Sequence, residues 1–191
     1  MYSANLKVDI VFIKQYVHNA FPALLWWHWV VMIVVPMGIV FGAVYRKKVT
    51  QYRGIATGLS LFYGLFLLDA LVVSRLGRPV SFDPALNLVA EYQRLVNGNH
   101  AFWIYMFFNV VSFSPLGLLL FEALSVMRNK RGWIITVLLV SGLSLLIESL
   151  QWILGVGFFE VTDLLLNTLG GAIGATVAFG VRSFFVNNKL F

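Results

Sequence analysis

The chain has 191 residues, of which 60% are hydrophobic and only 12% are charged, and its mean hydropathy is +0.84. A soluble domain is about half apolar and about a quarter charged, so this composition excludes a disordered chain and argues against a water-soluble globule. The absence of cysteine excludes a disulfide-stapled fold and thiol catalysis. The composition instead predicts an integral membrane protein.

Five apolar stretches are long enough to cross a bilayer as helices, which requires about 20 residues each. They cover approximately residues 21–45, 54–74, 101–126, 132–154 and 161–181. Before them, apolar side chains at helical spacing over residues 5–17 predict a short interfacial helix. We therefore expect an all-α, polytopic membrane bundle, with residues 1–20 as an N-terminal interfacial segment and residues 21–191 as a single domain.

Basic residues are distributed unequally between the two sides of this predicted bundle. One side carries nine lysines and arginines, in the loops after the first and third spans and in the C-terminal tail, whereas the other side carries five. Because basic loops stay in the cytoplasm, we expect a cell-membrane protein with its N-terminus outside and its C-terminus inside. The net charge of +6 belongs to these loops and indicates no nucleic-acid partner.

The fourth predicted span carries polar residues along one helix face. Ser141, Ser144, Glu148 and Gln151 recur every three or four residues. A charged residue at the centre of a membrane helix costs about 2.5–3.5 kcal/mol, so Glu148 needs an explanation. Either the Glu148 side chain is uncharged and holds neighbouring helices together, or it lines a water-filled cavity that has a function.

The fifth and third predicted spans carry matching polar groups. Asp163 and Asn167 lie one helical turn apart, although Asp163 is also typical of an acid in a first helical turn. With the orientation above, these polar positions lie towards the outer leaflet, which predicts a polar pocket that opens outward. The candidate ligand-binding residues are Asn109, Ser112, Glu148, Gln151, Asp163 and Asn167. We predict no catalytic residue, metal ligand or cofactor.

A further set of residues predicts close packing of helices. Proline removes a backbone donor and bends a helix, and small residues four apart let neighbouring helices approach closely. The candidates for helix packing are Pro115, Gly117, Gly170, Gly171 and Gly174.

Three sequence blocks resemble the VanZ-like family of small membrane proteins. They read NVVSFSPLG at 109–117, SLLIESLQ at 144–151 and TDLLLNTLGG at 162–171. Their order and spacing fit the family over about residues 86–175. Many members have an arginine shortly before the last block, whereas residues 155–160 of this chain read GVGFFE.

The resemblance implies a role in the cell envelope, because the family's namesake is associated with resistance to teicoplanin, an antibiotic with a fatty-acyl tail. We therefore expect the chain to bind or handle an amphiphile, namely a membrane lipid, a lipoglycopeptide such as teicoplanin, or a lipid-linked cell-wall precursor. Two alternatives stay open: a membrane-embedded enzyme with paired carboxylates, and a structural protein that modulates a partner. Five spans are few for a transporter, and a homo-oligomer would supply more.

The predicted orientation can be tested because the chain contains no cysteine. In intact cells, Leu88→Cys should react with an impermeant thiol reagent and Thr50→Cys should not, since the basic side is predicted to be cytoplasmic. Labelling should be compared with that in permeabilised cells, where both positions react. The opposite pattern in intact cells would reverse the orientation.

Overall fold

A computed structural model of the protein describes residues 26–46, 50–76, 93, 96–97, 100–124 and 130–187. The predicted interfacial segment, residues 1–20, lies outside these ranges. The described residues form five α-helices and a 3₁₀ turn, Val73–Arg75, and they contain no strand. The all-α prediction is confirmed. The helices are α1 (Trp26–Tyr45), α2 (Gln51–Leu71), α3 (His100–Ala123), α4 (Lys130–Ile153) and α5 (Val161–Asn187).

The helices have the length and surface of membrane spans. Within the described residues, α2, α3, α4 and α5 are long and apolar enough to cross a bilayer, and α1 contributes a shorter apolar stretch, Val30–Tyr45. Large apolar side chains point away from the bundle, as shown by Met37 and Phe41 of α1, which are 66% and 73% exposed. A continuous surface of this kind needs lipid rather than water around it. The fold is therefore a helical membrane bundle.

Among the described helices, α3 and α5 make the most extensive contact. A side chain at Gly170 or Gly174 of α5 would overlap the carbonyl oxygens of Val110 and Ser114 on α3. In the same way, a side chain at Gly117 of α3 would overlap the backbone of α5. The two backbones therefore touch directly, as small residues allow in membrane helices. Gly117, Gly170 and Gly174 thus lie where α3 and α5 cross.

The fifth helix also packs against α4. Gly171 lies under the side chain of Val140, to which an added Cβ would come within 2.5 Å. Val140 and Ile147 of α4 join Phe113 and Leu116 of α3 in the main hydrophobic core, and all four are almost completely buried. Pro115 lies within α3, which continues through it, and its side chain is exposed. Pro115 therefore lies outside the core.

A polar cluster joins three helices at the end of the bundle where α2 begins. Arg182 of α5 donates a hydrogen bond to Glu122 of α3, with an Nη1–Oε2 distance of 2.6 Å. The hydroxyl of Tyr52 on α2 donates to the same carboxylate oxygen at 2.7 Å. The Glu122 carboxylate is thus paired and hydrogen-bonded, and it links α2, α3 and α5.

The contact between α3 and α5 predicts that alanine substitutions at different glycines of α5 change the stability of the protein by different amounts. Gly174→Ala should lower the stability of the protein by about 1–3 kcal/mol, because the added methyl meets backbone that cannot move aside. Gly180→Ala on the same helix should be neutral or slightly stabilising, because nothing lies within 4 Å of its Cβ position and alanine favours helix. Thermal unfolding in detergent would measure both. Equal stability of the two variants would contradict the close approach.

Candidate functional site

A polar cavity of about 180 Å³ lies at the opposite end of the bundle from Glu122. It is formed where α2 and α4 end and where α3 and α5 begin. Its volume is below the roughly 300–1,000 Å³ of sites that enclose a drug-sized ligand, so it has room for a small polar group rather than a whole amphiphile. Five of the six predicted site residues line it: Asn109, Glu148, Gln151, Asp163 and Asn167.

Asp163 is held by two donors from α3. The side-chain amide of Asn109 donates to Oδ1 of Asp163 at 2.8 Å, and the hydroxyl of Tyr105 donates to Oδ2. Tyr105 and Asn109 are four residues apart and therefore share a helix face. Asp163 also lies in the first turn of α5, where the helix dipole favours a negative charge. Asp163 is thus both a hydrogen-bonded member of the polar network and an acid in the first turn of a helix.

Glu148 is 2% exposed and is oriented by the loop between α4 and α5. Its Oε2 accepts a hydrogen bond from the backbone N–H of Glu160 at 3.1 Å. The carboxylates of Asp163 and Glu160 and the guanidinium of Arg75 are near enough to interact electrostatically with it. Glu148 therefore faces other charged groups of the protein, not the surrounding lipid.

The loop after α4 takes this course because of a glycine at the end of the helix. Gly155 has a φ of +65°, in the left-handed region that favours glycine. The N–H of Gly155 bonds to the carbonyl of Trp152, and the N–H of Val156 bonds to the carbonyl of Gln151 at 2.9 Å. These two bonds define a Schellman motif. The motif turns the chain back over the cavity and thereby brings the Glu160 N–H to Glu148.

Two amides complete the polar lining. The side chain of Gln151 donates to the carbonyl of Leu71 at 3.1 Å and so ties α4 to the end of α2. The side chain of Asn167 donates to the hydroxyl of Ser144 at 3.0 Å, whereas its Oδ1 is buried with no hydrogen-bond partner. Asn167 is only 3% exposed.

Ser112, the sixth predicted site residue, does not line this cavity. It lies almost one turn further along α3 than Asn109, away from the open end. Its backbone carbonyl accepts a hydrogen bond from the hydroxyl of Tyr63 at 2.9 Å. Through this carbonyl, Ser112 links α3 to α2 outside the cavity.

Three polar lining residues were not predicted, namely Arg75, Tyr105 and Glu160. Tyr105 precedes Asn109 by four residues, so helical spacing alone would have found it. Arg75 could not be found by spacing, because it follows α2 and is distant in sequence from the other lining residues. The structure therefore brings a basic residue to the cavity from α2, although residues 155–160 contain none.

The apolar bundle with a polar cavity at one end defines an integral membrane protein with a buried polar site. The VanZ/LLP1 family model matches residues 29–184, and the chain belongs to that family. It is also similar to protein VanZ of Enterococcus faecium, with 35% identity over 81 residues, which cover 42% of this chain and 47% of that protein. The chain thus matches about half the length of this relative. No solved structure matches.

The Schellman motif predicts which residues can replace Gly155 without loss of stability. Gly155→Val should destabilise the protein by about 1–2 kcal/mol, because a β-branched residue is strained at positive φ. Gly155→Asn should retain most of the stability, since asparagine tolerates this conformation. Thermal unfolding of the two variants in detergent would test the motif. A Gly155→Val protein as stable as Gly155→Asn would show that the turn does not require the left-handed conformation.

Proposed function

We propose that the chain binds an amphiphile at the outer leaflet, with the polar head in the cavity and the acyl chains in the surrounding lipid. The observation that carries this proposal is the convergence of Asn109, Glu148, Gln151, Asp163 and Asn167 on one cavity from three helices. Polar groups are costly inside a bilayer and mark binding or transport sites there.

The size and surroundings of the cavity support an amphiphile over a wholly polar solute. A volume of about 180 Å³ suits a head group or part of one. Soon after Gln151, Ile153 at the end of α4 and Leu154 beyond it are 67% and 48% exposed, and Phe158 of the loop lines the cavity and is 41% exposed. Acyl chains attached to a bound head group would lie against these side chains.

The outer-leaflet location rests on the charge asymmetry of the loops, which predicts that the cavity end faces out. An acyl-tailed glycopeptide such as teicoplanin and a lipid-linked cell-wall precursor both present a polar head at that surface. The proposal therefore includes a role in glycopeptide resistance or in maintenance of the cell envelope.

The hydrogen bonds in the cavity favour binding over the two alternative functions. The oxygens of Asp163 accept from Tyr105 and Asn109, and one oxygen of Glu148 accepts from a backbone N–H, as fixed acceptors do. Among the described residues, no three Asp, Glu or His side chains are grouped as metal ligands. Asn167 lines the cavity, and its unpartnered Oδ1 is available to accept a hydrogen bond from a bound ligand.

Glu148→Gln tests the proposal with a matched control. The amide keeps the shape and can still accept from the Glu160 N–H, so the melting temperature should stay within about 4 °C of the wild type, or about 1 kcal/mol. In a glycopeptide-sensitive bacterium, the wild-type chain should raise the inhibitory concentration of teicoplanin but not that of a glycopeptide without the acyl tail. Glu148→Gln should abolish this protection.

The control is Glu122→Gln, the same substitution at the opposite end of the bundle. Its protection should equal that of the wild type, because Glu122 lies far from the cavity and a glutamine oxygen can still accept from Tyr52 and Arg182. A folded Glu148→Gln protein that protects as well as Glu122→Gln would contradict a role for the cavity. Loss of folding in Glu148→Gln would instead support the structural alternative.

A further inference from the structure

A second cavity, which we call the α4–α5 groove, lies between these two helices at the end of the bundle that carries Glu122. Its volume is about 360 Å³, and its surface is almost wholly apolar. Apart from Trp133, the side chains that line it are exposed on the outside of the bundle. The groove therefore lies in the surface that faces lipid, at the opposite end from the polar cavity. The described residues that line it are Lys130, Trp133 and Ile134 of α4 and Thr176 and Phe179 of α5.

Two aromatic side chains that line the α4–α5 groove are held in place by the protein. Trp133 packs against the small core that contains Phe121, and its indole N–H donates a hydrogen bond to Oγ1 of Thr176 at 3.0 Å. Phe179 makes an edge-to-face contact with Phe121, with 6.0 Å between the ring centroids. Because these walls are fixed before a ligand arrives, little of their conformational freedom is lost on binding. The groove is therefore pre-formed.

Negative charge is favoured at the end of the groove where α4 begins. Lys130 and Arg131 are the first two residues of the helix, and both are exposed. The first turn contains no acidic residue, although the helix dipole places a partial positive charge there. In the sequence, residues 124–147 contain three basic residues and no acidic one, and residues 164–187 contain one basic residue and no acidic one. The dipole and the side chains thus both attract an anionic group of a ligand.

An apolar groove with a basic residue at one end matches the two parts of an anionic phospholipid. Lys130 begins α4, and Trp133 and Ile134 follow it within about 6 Å along the helix axis. Tryptophan is typical of the level at which head groups meet acyl chains. An anion without an acyl chain would leave the apolar walls unused, and a lipid without net charge would gain little from Lys130.

We propose that the α4–α5 groove binds an anionic phospholipid, with an acyl chain between the two helices and the phosphate at Lys130. Anionic lipids attract lysine and arginine at the membrane surface, and basic pockets between membrane helices bind their head groups. The bound lipid bridges α4 and α5 at the end opposite the polar cavity. This site is separate from that cavity, so the inference does not depend on the proposed function.

The positions of the tryptophans give the groove a signal of its own. Of the six in the chain, Trp133 alone lies where α4 begins, whereas the others lie near the starts of α1 and α3 and the end of α4, at the opposite end of the bundle. The probe is phosphatidylglycerol with bromine close to the ester ends of its acyl chains, since bromine quenches tryptophan on contact. It is added to the purified full chain in a detergent with an uncharged head group. The quenching of the wild type minus that of Trp133→Phe should saturate, and its absence would overturn the site.

Competition by unbrominated compounds tests the two parts of the ligand. Phosphatidylglycerol should restore the Trp133 fluorescence at about one fifth of the concentration needed for phosphatidylcholine with the same acyl chains, as expected for one basic residue near an anionic lipid. Glycerol phosphate, which has no acyl chain, should not restore it. Equal potency of phosphatidylcholine would overturn the preference for an anionic lipid, and displacement by glycerol phosphate would overturn the role of the apolar groove.

Lys130→Gln tests the head-group contact, with Arg46→Gln as the matched control. Both substitutions remove one exposed charge from the same end of the bundle, but Arg46 follows α1, which does not line the groove. Lys130→Gln should lower the affinity for brominated phosphatidylglycerol about fivefold and leave that for brominated phosphatidylcholine unchanged. Arg46→Gln should change neither. An equal loss in the two variants would show a general attraction to the basic end and would overturn the assignment of the phosphate to Lys130.

Discussion

The direct contact between the backbones of α3 and α5 is the constraint on which the site depends. Gly170 rests against the carbonyl of Val110, the residue that follows Asn109. One turn before Gly170 on α5 comes Asn167, and one further turn before it comes Asp163. The crossing therefore fixes Asp163 at the distance where Asn109 and Tyr105 can both donate to it. Bulky side chains at the crossing would separate the helices and with them the donors and the acceptor.

The second determinant of the site is the turn after α4. In a membrane, loop backbone must satisfy its polar groups within the protein or at a wet cavity. The Schellman bonds after Gln151 satisfy the end of α4, and the N–H of Glu160 is satisfied by the side chain of Glu148. A buried carboxylate and an N–H of the loop thus satisfy each other. Glu148, whose place inside the fourth span costs free energy, is therefore also the residue that holds the loop over the cavity.

The spans and the polar faces could be predicted from the sequence because both follow from helical periodicity. The period of 3.6 residues placed Glu148 beside Gln151 and Asp163 beside Asn167 before any packing was known. The same period could have added Tyr105. By contrast, the position of Ser112 outside the cavity depends on the rotation and depth of α3 in the bundle, which periodicity within one helix does not determine.

Contacts between distant segments could not be predicted, since no local pattern encodes them. Arg75 lines the cavity because the 3₁₀ turn that contains it follows α2 at the end of the bundle where the cavity lies. His28 of α1 and Asp69 of α2 are a similar case, with 3.3 Å between Nδ1 and Oδ1. The sequence shows each of them as a polar residue in an apolar span, but it does not show that they are partners. Which helices are neighbours is a property of packing, so these pairs emerge only with the fold.

The two ends of the bundle differ in how their polar side chains are arranged, and this difference supports the proposed place of the binding site. At one end, Glu122 accepts from both Arg182 and Tyr52, so that its charge is matched by donors from two other helices. Such a cluster stabilises the bundle through hydrogen bonds between its helices. At the other end, polar side chains of three helices line a cavity, and among the described residues none donates a hydrogen bond to Oδ1 of the buried Asn167. The unpaired oxygen of Asn167 is costly to bury until water or a ligand donates to it, and this cost supports the proposal that a ligand binds at this end.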